Sequence, residues 1–324
     1  MKATVVIPTY KRSQRLRQLL ECLVGQQGDA LAQVIVCDDG SPDDTAEVVA
    51  AFESRLPLEY CWQEDRGFRA GQARNLGIAR AKGDVILFVD DDVLVPTEFV
   101  RDHIREHESL GEAAIVIGYR HRTFEAPATQ PTVEEIMRGE PDDRVAVLGI
   151  DGTPVRGHPR PWVYVYSCNF SVRRAPGLHF HEGFHGWGLE DIELGYRLWK
   201  SGRPIAAAPR ARVLHVEDAA PRDPFRCEER AIEPRYDTYV RNAVYFMDLH
   251  ADDPDVADWV RNDIRWYVRD DEGHWVKNGF ENDVEAVIRA CRKELAELAA
   301  LAESRESQRP RGRVRAAGAE DGGA

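Results

Sequence analysis

The chain has 324 residues, 43% of them hydrophobic, which is enough for one large α/β domain with an appendage or for two domains. Its formal net charge of -13 argues against a general nucleic-acid binder, which needs a basic face. The six cysteines (Cys22, Cys37, Cys61, Cys168, Cys227 and Cys291) are scattered and form no Cys-x-x-Cys pair, so a zinc or disulfide framework is not expected.

Strand and helix signals alternate from the start. Thr4 to Ile7 is a β-branched run closed by Pro8, after which come Thr9-Tyr10-Lys11-Arg12. Ser13 can cap a helix carrying Leu16, Leu19, Leu20 and Leu23 at helical spacing. Val34-Ile35-Val36-Cys37 is a second buried strand, ended by Asp38-Asp39-Gly40-Ser41. Asp43 or Asp44 can cap the next helix, with Val48, Val49 and Phe52 on one face. Leu58 to Trp62 reads as a third strand, Ala70 to Ala81 as a helix, and Val85 to Val89 as a fourth strand running into Asp90-Asp91-Asp92. Pro96 opens a helix carrying Phe99, Val100, His103 and Ile104, and Ala113 to Ile117 is the next strand. From about Tyr119 to Pro161 the pattern dissolves into proline, glycine and charge, as expected of a lid or insert.

Trp162 to Tyr166 reads as a strand again, Leu189 to Trp199 as a helix and Arg212 to Val216 as a short strand. Beyond Asp223 the signal is helical, with Trp259, Trp266, Tyr267 and Trp275 as packing residues and a last helix over Val284 to Leu301. The expected organisation is an α/β domain over 1–222 with a lid at about 119–161, a helical C-terminal extension over 223–303, and a disordered tail over 304–324. The N-terminus shows no signal-peptide pattern, and no apolar run reaches the ~18 residues that a membrane helix needs. A soluble, cytoplasmic protein with no transmembrane anchor is expected.

Strands alternating with helices predict an α/β fold with a doubly wound, mostly parallel sheet. The polar groups after the first, second and fourth strands would then meet at one edge of that sheet. Ligands of open α/β sheets bind at the carboxyl ends of the strands.

Each cluster has a chemical and a plain reading. Asp90-Asp91-Asp92 repel one another unless a cation lies between them; hard divalent ions take oxygen ligands and bridge carboxylates to phosphates. The plain alternative is an acidic turn. Asp38 or Asp39 could accept a base imide proton or hold a ribose, or simply form an Asp-Gly turn. Arg69 and Arg74, in Gly67-Phe68-Arg69-Ala70-Gly71-Gln72-Ala73-Arg74-Asn75, could reach diphosphate oxygens, or Arg74 could lie on a solvated helix face. Gly186-Trp187-Gly188-Leu189 leads into Glu190-Asp191 at a predicted helix start, where the dipole favours acids. One of the two could be a general base, with Trp187 offering an apolar face to a sugar; the alternative is helix capping beside a core Trp. His215, in Val213-Leu214-His215-Val216-Glu217, could complete a metal site or be structural.

Together these segments resemble the nucleotide-sugar-dependent glycosyltransferases of the GT-A fold, family two. Val6-Ile7-Pro8-Thr9-Tyr10-Lys11-Arg12 is similar to that family's opening, Asp38-Asp39-Gly40-Ser41 to its acidic turn, and Asp90-Asp91-Asp92 to its Asp-x-Asp signature. Gly67 to Ala70 with Ala73 to Gly77 resembles chondroitin-type polymerases, and Gly186 to Asp191 resembles the acceptor motif shared with galactosyltransferases. The resemblance covers roughly residues 3–218. It implies that Pro8, Thr9, Tyr10, Arg12 and Asp39 frame the base, that Arg69 and Arg74 lie near the diphosphate, and that Asp90, with Asp91 beside it, faces the ribose. It implies Asp92 and His215 as ligands of Mn²⁺ or Mg²⁺, Asp191 as base, and Glu190 as the group orienting the acceptor hydroxyl. The implied reaction is inverting transfer from a nucleoside-diphosphate donor, a UDP-sugar, to a soluble or membrane-presented hydroxyl. Leu189 departs from the pattern, standing where the family has glycine. The C-terminal helices carry no recognisable motif and could support a homodimer. Two rivals are a sugar-nucleotide nucleotidyltransferase and a non-catalytic nucleotide-sugar-binding protein. The first would need a glycine-rich loop after the first strand, where Pro8 to Ser13 contains no glycine.

Overall fold

A computed structural model describes residues 1–111, 113–148, 155, 157–217 and 235–307. The first half alternates: β1 (Ala3–Thr9), α1 (Ser13–Val24), β2 (Leu31–Asp38), α2 (Thr45–Ala50), β3 (Leu58–Trp62), α3 (Ala70–Arg80) and β4 (Val85–Val89). There follow β5 (Val93–Leu94), α4 (Phe99–Leu110), β6 (Ile115–Thr123), α5 (Val133–Ile136), β7 (Glu140–Pro141), α6 (Asp143–Leu148), a 3-10 turn (Pro161–Tyr164) and β8 (Asn169–Arg173). The chain continues through α7 (Glu190–Lys200), β9 (Ile205–Val216), α8 (Arg235–Leu249), α9 (Pro254–Ile264), β10 (Tyr267–Arg269), β11 (Trp275–Lys277) and α10 (Val284–Ser307).

The main sheet runs β3-β2-β1-β4-β8-β6-β9-β5, with β7 against β6. β1 pairs in parallel with β2 and β4, and β2 with β3. β8 is antiparallel to both of its neighbours, β4 and β6, while β6 and β9 are parallel. The sheet is therefore mixed beyond β4. The stretch Trp162 to Tyr166, expected as a strand, is largely the 3-10 turn. Pro161 opens it, because proline has no N–H to give to a ladder and its fixed φ suits a first helical position. Its apolar character comes from burial instead: Trp162 is fully enclosed, with the ring of Trp259 at 5.2 Å between centroids.

Apolar residues alternate across the strands and build two cores. Val5, Ile7 and Leu87 meet Leu16, Leu20, Phe99 and Ile104 on the face of α1, α2 and α4. Val6, Phe88 and Phe170 meet Phe180 and Leu194 on the other face. Val240, Phe246, Val260 and Ile288 belong to that second core, so the C-terminal helices pack directly on the α/β unit. The region from Tyr119 to Pro161 is partly sheet: β6 runs on to Thr123 and carries β7. The expected tail lies outside the described residues from 308 onward, and Cys227 is also outside them; the five described cysteines are free and buried.

β8 escaped the sequence reading because polar residues interrupt its apolar run. Asn169 and Ser171 are fully buried. The Asn169 amide gives hydrogen bonds to the carbonyls of Tyr119 (3.0 Å) and Ala211 (2.9 Å), so its Oδ1 accepts from His103 Nε2 (2.9 Å). His103 Nδ1 then accepts from the Ser171 hydroxyl (2.9 Å), and Ser171 Oγ accepts from His107 Nε2 (2.9 Å). This one chain of donors sets both imidazoles as Nε2 tautomers.

Candidate active site

The carboxyl ends of β1, β2 and β4 bring the predicted polar segments together. Pro8 and Thr9 end β1, in register with Cys37 and Asp38 of β2. Gly40, just beyond, has φ +88°, and a Cβ there would lie 2.3 Å from the Asp65 backbone nitrogen. Only glycine therefore lets the β2 turn approach the loop after β3. Asp39 is 4% exposed and is held by that loop: the Arg69 N–H donates to Oδ2 (2.8 Å) and the Gln63 amide to Oδ1 (2.7 Å). The Arg69 guanidinium also lies 3.3 Å from Asp39 Oδ1 and donates to the Glu64 carbonyl. Asp38 points elsewhere, accepting from the Ser41 N–H (2.8 Å) and the Tyr60 hydroxyl (2.6 Å). The Tyr10 hydroxyl donates to Asp65 (2.7 Å).

The three acids after β4 have three different surroundings. Asp90 is partly exposed and bonded by Arg74 Nη2 (2.8 Å). Asp91, expected beside the donor, turns inward: it is 6% exposed and accepts from the Thr9 hydroxyl (2.7 Å). Burial, then the neighbouring Asp92 charge, pushes its carboxyl up to about 7. Asp92 meets Arg12 on one oxygen, and its other oxygen, Oδ1, lies 3.1 Å from His215 Nε2. Register places His215 there, since β5 and β9 pair Val93 with His215. Burial opposes ionisation of Asp92, but His215 and Arg12 outweigh it and hold the carboxyl below the usual range. For His215 burial disfavours the cation, and the Asp92 carboxylate overrides it, raising the imidazole to about 9.

Despite its closeness to His215, Asp92 Oδ1 is buried and has no aligned hydrogen-bond donor. An oxygen lone pair facing an imidazole nitrogen in a buried pocket is a suitable pair of donors for a divalent cation. Among the described residues no group of three metal-binding side chains gathers, so further ligands would have to come from water or a bound phosphate. The imidazole would have to lose its proton first. Glu217 Oε1, 3.6 Å from His215 Nδ1, is a partner the sequence reading did not single out. Its position two residues on, on the same strand face, was the available signal.

Arg74, expected near the diphosphate, is engaged by two carboxylates. Its side chain is 3% exposed and bridges Asp90 to Glu190, 3.1 Å from Nη1, while resting over the Phe180 ring at 5.4 Å. It ties the acid cluster to the segment expected on the acceptor side. Glu190 and Asp191 begin α7, as the helix signal predicted, and the dipole favours acids in this first turn. Burial and the Asp191 charge together push Glu190 up to about 7, against the pull of Arg74. Asp191 Oδ2 accepts the Ser167 N–H (2.8 Å), and burial raises its carboxyl as well. Both are thus moved toward the range in which a carboxylate can take a proton near neutral pH.

The loop before α7 is shaped by α8. Gly186 has φ +77°, and a Cβ there would lie 2.3 Å from Thr238 Cγ2. Thr238 Oγ1 accepts the Trp187 N–H (3.0 Å), the Asn242 amide donates to the Gly188 carbonyl (2.9 Å), and the Trp187 ring leans on Tyr239 at 5.6 Å. Leu189 adopts φ +73°, a left-handed conformation that explains glycine as the natural residue at such a place; here the side chain is 2% exposed in the second core. These supports from α8 have no motif of their own and could not be seen in the sequence.

A mixed sheet with acids, arginines and a histidine gathered at its strand ends is the GT-A fold. Residues 4–156 match the family model for glycosyl transferase family 2, the family that the motifs resemble. The chain is 35% identical over 226 residues to a validoxylamine A glucosyltransferase from Streptomyces hygroscopicus subsp. jinggangensis, covering 63% of this chain and 53% of that protein. It is 29% identical over 312 residues to an uncharacterized glycosyltransferase of Bacillus subtilis, covering 82% and 78%. The chain spans about half the length of the validoxylamine A glucosyltransferases it matches. Among solved structures, a Pyrobaculum calidifontis mannosyltransferase in complex with GDP-Man and Mn²⁺ has a TM-score of 0.54 at 15% identity, covering 95% of this chain and 81% of that one. Staphylococcus aureus TarS in complex with UDP-GlcNAc has a TM-score of 0.55 at 18% identity, covering 82% and 72%.

Proposed function

We propose that this protein is a metal-dependent, inverting glycosyltransferase that moves a sugar from a nucleoside-diphosphate donor, a UDP-sugar, to an acceptor hydroxyl. The observation that carries the reading is the Asp90–Arg74–Glu190 bridge, which ties the start of the acid triplet, two residues before the Asp92–His215 pair, to the raised carboxyls of α7. The names of the relatives support sugar transfer, and the ligands of the two solved structures support a nucleotide-sugar donor.

In this reading Asp39 forms the wall for the base, with Pro8, Thr9, Tyr10 and Arg12 beside it, and Arg69, braced against Asp39, lies toward the diphosphate. Asp90 contacts the ribose. Asp92 and His215 would hold Mn²⁺ or Mg²⁺, whose charge supplies stabilisation of the departing diphosphate when bound. Asp191 takes the proton of the acceptor hydroxyl, and Glu190 orients that hydroxyl. Arg74 keeps the two acidic groups at a set separation and charge. Trp187, leaning on Tyr239, offers its apolar ring to the sugar. Attack from the Asp191 side on the anomeric carbon inverts that centre.

A screen of nucleotide sugars for hydrolysis and thermal stabilisation with Mn²⁺ tests the reading. UDP with Mn²⁺ should raise the melting temperature of the wild type and do so much less for Asp92→Ala. Equal stabilisation of both proteins would remove Asp92 from the metal site.

A further inference from the structure

A second cleft opens on the α4 face of the sheet, and none of the acid-cluster residues lines it. It lies between α4, α5 and the irregular stretch of β9 that follows Ala208, where the register with β6 shifts. Its volume of ≈ 560 Å³ falls within the range of small-molecule sites, about 300–1,000 Å³.

The feature that sets it apart is Arg212. This residue is 4% exposed, yet among the described residues it faces no carboxylate and no hydrogen-bond acceptor; its guanidinium rests on the Tyr119 ring at 5.0 Å. Burial pulls the guanidinium below its ordinary value, with little to oppose it. A buried charge without a counter-charge is costly, and it persists where something else supplies that counter-charge. The rest of the lining has the same sign. Arg101 lies 3.8 Å from Glu98 and 3.4 Å from the Gln27 amide oxygen, Arg105 lies 3.5 Å from Asp102, and Arg210 is exposed at the mouth. Four arginines thus face two carboxylates in a chain that is otherwise strongly acidic. Val133, Met137 and Pro209 supply an apolar wall opposite.

We propose that this cleft binds a phosphate group carried on a larger organic ligand, with Arg212 as its buried anchor. Phosphate matches the excess of two positive charges, because a monoester carries about -1.5 to -2 at pH 7. Guanidinium forks bind its oxygens in pairs. The volume beyond one phosphate, and the apolar wall, accommodate the organic part. The carrier is a soluble phosphate ester or a lipid headgroup, and the two are separated experimentally.

The full chain without added metal is titrated calorimetrically with phenyl phosphate, with phenol as the uncharged control. It is also sedimented with phosphatidylcholine vesicles with and without phosphatidic acid. The wild type should bind phenyl phosphate, or the phosphatidic-acid vesicles, at least tenfold more tightly than Arg212→Met, and should ignore phenol. Apo Arg212→Met should melt no lower than the apo wild type, because the variant removes an unpaired buried charge and keeps packing on Tyr119. Arg105→Ser with Arg210→Ser, both at exposed positions, should weaken binding severalfold with an unchanged apo melting temperature. Binding to the ester alone assigns a soluble ligand, and binding to the vesicles alone assigns a headgroup. No binding to either probe, or equal affinity in wild type and both variants, overturns the proposal. Stabilisation by UDP with Mn²⁺ should be the same in all three proteins, so failure here leaves the donor-site reading untouched.

Discussion

Arg74→Met tests the bridge that joins the two halves of the site. The substitution keeps most of the side-chain volume and removes the cation that serves Asp90 and Glu190. Asp90 is 31% exposed and can rehydrate, whereas Glu190 is 10% exposed and cannot. The cost therefore falls on Glu190, and breaking a buried pair from one side costs about 3–5 kcal/mol. Glu190→Gln in the same background removes the stranded charge, so the double variant should recover about 1–3 kcal/mol relative to additive losses. The sign with pH follows from the same charge. Glu190 already sits near 7, and losing Arg74 raises it further. A carboxyl raised in the folded state is penalised above its folded pKa and relieved below it, so the variant's deficit should be largest at pH 8 and shrink toward pH 6. Urea unfolding of the four proteins at both pH values measures this. Additivity within about 0.5 kcal/mol, or a deficit that does not change with pH, would refute the bridge.

Further outcomes follow from other residues. Asp191→Asn can keep the bond from the Ser167 N–H through the amide oxygen and gives up only the acceptor of the Ile192 N–H, so it should fold and bind donor while transfer falls about 10²–10⁴-fold; near-normal turnover removes Asp191 as the base. Leu189→Gly relieves about 1–2 kcal/mol of left-handed strain but loses about 2–3 kcal/mol of burial and up to about 1 kcal/mol of backbone entropy, for a net loss of up to about 3 kcal/mol. A higher melting temperature for that variant would mean that strain, not packing, dominates at the start of α7. Burial lowers His103 to about 4 despite its Asn169 bond, and with His103 and Arg173 beside it lowers His107 to about 3. Between pH 6.5 and pH 4 the unfolded chain binds protons that the folded chain refuses, so each imidazole costs stability as pH falls, about 3 kcal/mol for His103. His103→Gln should flatten the acid side of the stability–pH curve; an unchanged slope would contradict a neutral buried imidazole.

The regular part of the fold was legible because local chemistry and tertiary role coincide there. The runs at Thr4–Ile7, Val34–Cys37 and Val85–Val89 are buried on both faces, so continuous apolar character and β-branching mark them, and the polar residues that end each run fall at one sheet edge. That His215 could complete a metal site was readable from its chemistry, but its pairing with Asp92 in particular came from the family resemblance. No spacing rule joins residues 123 positions apart; register between β5 and β9 does.

What the sequence alone determined is the inventory: an α/β chain, acids after the strands, and two carboxylates at a helix start. Those are short-range facts, set by hydrophobic periodicity and helix-end chemistry within a few residues. Which partner each acid meets was decided only by tertiary structure. Asp90, Asp91 and Asp92 are adjacent and chemically identical, yet one meets Arg74, one turns inward to Thr9 and one faces His215. Arg74 likewise reads in sequence only as a cation on a helix, and tertiary structure places it between Asp90 and Glu190. The reason is physical: ionisation and hydrogen bonding depend on burial and on partners brought in by distant strands, and neither is encoded in the spacing of neighbours along the chain.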